Sequence, residues 1–111
     1  MRPLFFAASV LFAAQAAADV TPLRQKELAR QQELVRLVRH DCGSCHGLTL
    51  LGGLGPALLP ANLRDKPKES LVATILFGRP GTPMPPWREF VTEAEAEWIV
   101  ERLLQDFPNE P

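Results

Sequence analysis

The stretch Cys42-Gly43-Ser44-Cys45-His46 constrains this chain more than any other. Two cysteines three apart, with a histidine directly after the second, form the attachment site of a c-type haem. The spacing has a physical reason. Both thiols must reach the two vinyl groups on one edge of a flat macrocycle, while the next side chain turns under the ring toward the iron. Cys42 and Cys45 are therefore the candidate thioether residues and His46 the candidate proximal ligand. Other uses of such a pair fit less well. A thioredoxin-like redox pair belongs beside a strand-helix-strand pattern, and no strand pattern occurs in this chain. Structural zinc wants four ligands, and Cys42, Cys45, His46 and His40 include no second pair at a distance. A plain disulfide suits an oxidising compartment but leaves His46 without a role.

The first residues bear on the compartment. Met1-Arg2-Pro3 precedes an apolar run from Leu4 to Ala14, which closes on Ala16-Ala17-Ala18 before Asp19. A basic start, a short apolar stretch and small residues at its end read as a secretory signal peptide over residues 1 to 18. An uncleaved membrane anchor is the rival, and the run is brief for crossing a bilayer. No cysteine stands at the cleavage point to take a lipid, and no later stretch is long and apolar enough to span. The expected product is an exported protein without stable membrane insertion, residues 19 to 111, one small monohaem domain. A domain of that size buries only about 60% of its unfolded surface, and a covalently held macrocycle would add to its core.

Charge excludes one class of partner. Without the leader the chain carries 11 Lys and Arg against 13 Asp and Glu, a net of −2. Residues 91 to 111 hold one arginine and six acids, and residues 42 to 90 hold five bases and three acids. This weak dipole can orient the molecule toward a protein partner but is no footprint for nucleic acid.

Three helices are legible. Thr21-Pro22 reads as an N-cap with proline at the first helical position, opening a helix to about His40 with Leu34, Leu37 and Val38 inward and Arg36 and Arg39 outward. Its polar first half is expected to protrude. A second helix opens near Pro67, runs through Leu71, Val72, Ile75 and Leu76, and stops at Gly78. The third has Thr92 and Glu95 as a capping box and a stripe of Ala96, Ile99, Val100, Leu103, Leu104 and Phe107. On that helix Trp98 falls nearly opposite the stripe, which predicts more exposure than at Trp87. Between the helices lie a leucine-rich loop broken by Gly47, Gly52, Gly53, Gly55, Pro56 and Pro60, and the stiff segment Arg79-Pro80-Gly81-Thr82-Pro83-Met84-Pro85-Pro86-Trp87. A ligating histidine needs an acceptor for its second ring N–H, and the Pro56 carbonyl is a candidate. Met84 is the only methionine left once the leader is removed. His40, six residues before His46, reads as a partly exposed helix-end side chain.

Helix, Cys-x-x-Cys-His, Gly-Pro loop, helix, proline-flanked methionine and final helix together resemble a class I c-type cytochrome. The segment from Gly81 to Trp87 makes the chain most similar to cytochrome c-55X, the NirC-type proteins of denitrifying bacteria. The resemblance implies an all-α fold of three to four helices around one covalent haem c and its iron. It implies thioethers at Cys42 and Cys45, a hydrogen bond to Pro56, and axial ligation by His46 and Met84. It also implies that the first and last helices cross; Leu103 stands where an aromatic is common at that crossing. With both axial positions filled, the protein is a one-electron carrier and not an enzyme. The implied setting is the periplasm, and the implied partner is a haem-d-containing dissimilatory nitrite reductase. Two further roles fit the same family: an accessory in maturing the reductase's haem d cofactor, or a general donor to another terminal oxidase. A monomer or weak dimer is expected, with Leu48, Leu50, Leu51, Pro83, Pro85 and Pro86 near the exposed haem edge, or the leucines simply buried against the haem.

Overall fold

Helix α1, Pro22–Leu37, opens on Thr21, whose hydroxyl accepts the Arg24 N–H, with proline at the first turn where a missing N–H costs nothing. The computed structural model describes residues 1, 3, 4 and 21 to 111. Apart from residues 1, 3 and 4, the expected leader lies outside the described residues. Residues 22 to 29 of α1 are exposed, and full burial begins only at Leu34 and Val35.

The first helix does not stop before the cysteines. Val38–Cys42 is a π-helical turn, closed by the Gly43 N–H on the Val38 carbonyl, and the chain continues as the one-turn helix α2, Gly43–His46. In an α-helix residues 38 and 43 would stand roughly 140° apart. The i→i+5 bond brings them onto one side, where both are buried. Gly43 thus acts inside the helix and not as its stop: a Cβ there would meet the Leu48 Cα at 3.3 Å.

A short helix α3, Pro60–Leu63, follows the glycine-rich loop and was not legible in its sequence. Helix α4 spans Lys68–Phe77 and helix α5 spans Glu93–Gln105. The capping box at Thr92 is complete, with Glu95 N–H donating to Thr92 Oγ1 at 3.1 Å and Thr92 N–H donating to Glu95 Oε1 at 2.9 Å. Among the described residues there is no strand, and the fold is all-α.

One apolar cluster joins the elements. Leu34, Val35 and Val38 share this cluster with Ile99, Val100 and Leu103 of α5 and with Val72 and Leu76 of α4. Each fully buried side chain of this kind contributes about 1.5–3 kcal/mol by leaving water. Phe107 closes the stripe one turn beyond Leu103 and is itself buried.

Two arginines tie α1 and the π turn to the last helix. Arg30 donates to the Glu95 carboxylate and, through Nη2, to the Phe90 carbonyl at 2.8 Å. Arg39, expected to face outward, instead donates to the carbonyls of Phe107 at 2.7 Å and Pro108 at 3.1 Å while lying over the Phe107 ring. The reason is that the chain beyond α5 exposes unpaired carbonyls that a helix-end guanidinium can satisfy. His40, beside it, is exposed and paired with Glu110. Trp98 does not project into solvent as its helical phase suggests. Like Trp87 it is half-buried against the core margin, because an indole is broad enough to lie along the rim of the stripe.

Candidate functional site

Cys42 ends the π turn and Cys45 lies in α2, both in helical backbone, so the two thiols share one face of a single turn. Both are free thiols and both are half-buried. Burial, reinforced by the neighbouring Asp41 charge, pushes the Cys42 thiol up to about 11. Cysteines used for thiol–disulfide exchange are shifted the other way, toward the thiolate. The Cys42 environment therefore suits a thiol that is kept neutral until it is covalently capped.

His46 ends α2, and its Nδ1 lies 2.6 Å from the Pro56 carbonyl oxygen. With Nδ1–H donating there, Nε2 carries the lone pair and is the nitrogen left to bind a metal. The loop that delivers Pro56 is fastened by the carbonyls that the end of α2 leaves unpaired. Gly55 N–H donates to Cys45 O at 2.7 Å and Gly52 N–H to His46 O at 2.8 Å. Gly55 also lies flat against the imidazole: a Cβ there would sit 2.8 Å from His46 Cε1 and Nδ1. Leu50, at φ 62 in the left-handed region, holds its side chain fully buried. Of the two readings of these leucines, Leu50 takes the buried one. Leu48, Leu51 and the overlooked Leu54 are exposed instead, at 68%, 66% and 79%.

Met84 is half-buried on the proline-rich segment, which is anchored to the end of α4. Trp87 N–H donates to Ile75 O at 2.9 Å and Arg88 N–H to Leu76 O at 3.3 Å, again helix-end carbonyls taken up by a loop. Gly78 turns the chain at φ 69, and a Cβ there would lie 2.6 Å from Met84 O. Arg79 N–H donates to the same carbonyl at 3.2 Å.

These features suit a covalent haem. A same-face thiol pair, an imidazole fixed through Nδ1, and a glycine that lets the loop lie against that ring suit the edge and one face of a large flat macrocycle. Among the described residues no group of three or more His, Cys, Asp or Glu could hold a bare metal ion, so these side chains offer no zinc-like cluster.

Comparison with known proteins agrees. The chain is 52% identical over 79 residues to cytochrome c55X of Paracoccus denitrificans, a match covering 71% of this chain and 77% of that protein. The chain belongs to the cytochrome c55X family. Cytochrome c55X of Pseudomonas aeruginosa is 62% identical over 76 residues, covering 68% of this chain and 64% of the relative, so the match spans somewhat under two thirds of that protein's length. Residues 29–101 also match the family described as cytochrome C oxidase, cbb3-type, subunit III. Among solved structures, the c-type cytochrome NirC is similar with a TM-score of 0.70 and 58% identity, over 71% of this chain and 93% of that one. The dihydro-heme d1 dehydrogenase NirN, in complex with DHE, is similar with a TM-score of 0.60 and 39% identity, over 68% of this chain and 16% of that one. As a c-type cytochrome of the c55X family, the protein takes covalent haem c with its iron.

Cys42, Cys45, His46 and Pro56 meet at one place, through α2 and the loop bonded to it. Met84 belongs to a separate segment, positioned by α4. Sequence reasoning missed Gly55 and Gly78 as the residues whose lack of a side chain permits these placements. Positive φ at Gly78 agrees with its place directly after the last apolar residue of α4, a signal that was readable.

Proposed function

We propose that this protein is an exported one-electron carrier of the periplasm, active in denitrification as a donor to a haem-d-containing nitrite reductase. The observation that carries the reading is the 2.6 Å contact between His46 Nδ1 and the Pro56 carbonyl, which orients the imidazole and raises its basicity. Cys42 and Cys45 would form the thioethers, with His46 and Met84 the two axial ligands. Haem c, when bound, supplies a one-electron iron couple.

The chain's own residues do the rest. Pro56 fixes the tautomer and plane of His46. The prolines flanking Met84 restrict where its thioether can point, and a methionine ligand favours a high reduction potential. With His46 and Met84 both holding the iron, no coordination position would be open to nitrite or oxygen, and the protein would serve as a carrier and not an enzyme. The exposed Leu48, Leu51 and Leu54 offer a small apolar contact of the sort that releases a partner quickly.

A second reading is favoured by a specific finding. The chain is 43% identical over 76 residues to 15% of the dihydro-heme d1 dehydrogenase of Pseudomonas aeruginosa. A cytochrome domain similar to this one thus forms part of a protein named for work on the d1 cofactor, which supports a role in maturing that cofactor. Stopped-flow mixing of the reduced cytochrome with oxidised nitrite reductase separates the two. Rapid haem oxidation supports the donor role. Transfer no faster than from an unrelated cytochrome of similar potential favours maturation.

A further inference from the structure

Between α4 and the first turns of α5 runs a groove of about 290 Å³ that includes none of the proposed haem-binding residues. Buried Val72 and Leu76 form its floor, and Phe77, 60% exposed at the end of α4, stands at its edge. Its walls carry Glu69 from α4 and Glu93 and Glu97 from α5, all exposed. Among the described residues none of these three carboxylates is paired with a basic side chain, whereas Glu95 and Glu101 on the same α5 each are. Lys68, the one base in the groove, is held by Glu101 at 2.5 Å. The result is an apolar floor ringed by three carboxylates without a salt-bridge partner among the described residues, with Lys68, itself bonded to Glu101, the one base near them. It lies on the side of α4 away from Leu71 and Ile75, which at 3.6 residues per turn point roughly opposite to Glu69 and Ala73.

We infer that this groove is a second docking surface, which takes a basic segment of a partner protein carrying one large apolar side chain. Charge complementarity selects the occupant. Lysines or arginines would meet Glu69, Glu93 and Glu97, and the apolar side chain would cover Phe77 and reach Val72 and Leu76. Because the groove is separate from the proposed haem site, a partner held here leaves the haem edge free for electron transfer. The inference rests on the donor reading for the identity of the partner used in its test.

The experiment is carbodiimide cross-linking of the holocytochrome to purified haem-d-containing nitrite reductase, with affinity measured across a salt series. Zero-length cross-links are expected from Glu69, Glu93 and Glu97 to reductase lysines. The triple variant Glu69→Gln, Glu93→Gln, Glu97→Gln is expected to bind about tenfold more weakly at low salt, with the gap closing as salt rises. Phe77→Ser is expected to weaken binding without that salt dependence. Unchanged haem spectra and thermal midpoints certify the fold of both. Reductase that binds the triple variant as tightly, cross-linked through other carboxylates, overturns the docking surface and leaves the donor reading intact. No binding and no electron transfer overturns both. A cytochrome that dimerises alone in sedimentation, with the triple variant abolishing the dimer, overturns the inference by assigning the groove to a second copy.

Discussion

The α5 side of the molecule and the side carrying the proposed haem ligands are built by different means. Along α5, Ala96, Ile99, Val100, Leu103 and Phe107 are buried against residues of the same chain, and the cap and the arginine contacts are complete within it. On the other side, loops are fastened by helix-end carbonyls and shaped by Gly55 and Gly78, while Leu48, Leu51 and Leu54 remain exposed. The first region carries its own driving force. The second depends on glycine-permitted loop contacts, and a covalent macrocycle would add apolar surface to it.

The sharpest way to break this contrast is to remove the attachment. Cys42→Ser with Cys45→Ser is expected to leave the chain without covalent haem and to lose most of its helical circular dichroism, because a domain this small is marginal on its own. Retention of full helicity would show that the α5 side suffices.

Next in size is the core. Leu103→Ala is expected to lower stability by about 2–5 kcal/mol in denaturant titration while leaving the haem spectrum unchanged. A spectral change would mean that the two regions are not separable.

Gly78→Ala probes the ligand side. The new Cβ would stand 2.6 Å from Met84 O at a positive φ, so the methionine segment has to shift. The expected cost is about 1–3 kcal/mol, accompanied by loss of the weak long-wavelength absorption of methionine bound to ferric iron. Stability loss with that band intact would place Met84 away from the iron.

The smallest expected effect concerns Glu95. The hydrogen bond from Arg30, followed by the Thr92 backbone N–H, holds its carboxyl below the usual carboxylate range despite partial burial. A carboxyl lowered on folding stabilises above its unfolded pKa, and that contribution is lost as pH falls through the folded value. Glu95→Gln is therefore expected to cost about 1 kcal/mol at neutral pH, with the difference from wild type vanishing in acid. Thermal melts between neutral pH and pH about 3 check it.

How far the sequence could be read follows the same division. The α5 stripe and its capping box were legible because both are local patterns: period, cap and partner lie within one helix. The role of Met84 is implied by the resemblance and stays a proposal. The Cys-x-x-Cys-His motif was legible because chemistry fixes its spacing, and the Pro56 contact because a ligating imidazole needs an acceptor for its second N–H. The π turn, α3, the buried left-handed Leu50 and the clamp of Arg39 on Phe107 were not. Each depends on a partner distant in sequence or on satisfying a helix end whose position the local pattern leaves open. Trp98 falls off the stripe by helical phase yet is half-buried against the core margin, because the reach of an indole depends on tertiary packing.

The measurement that bears most directly on the central claim is carbon monoxide binding to the ferrous protein, compared with Met84→Ala. If His46 and Met84 both ligate the iron, the wild type refuses carbon monoxide and the variant takes it up stoichiometrically. A wild type that binds carbon monoxide as readily as Met84→Ala would contradict the account, since an open haem face belongs to an enzyme or sensor and not to a carrier.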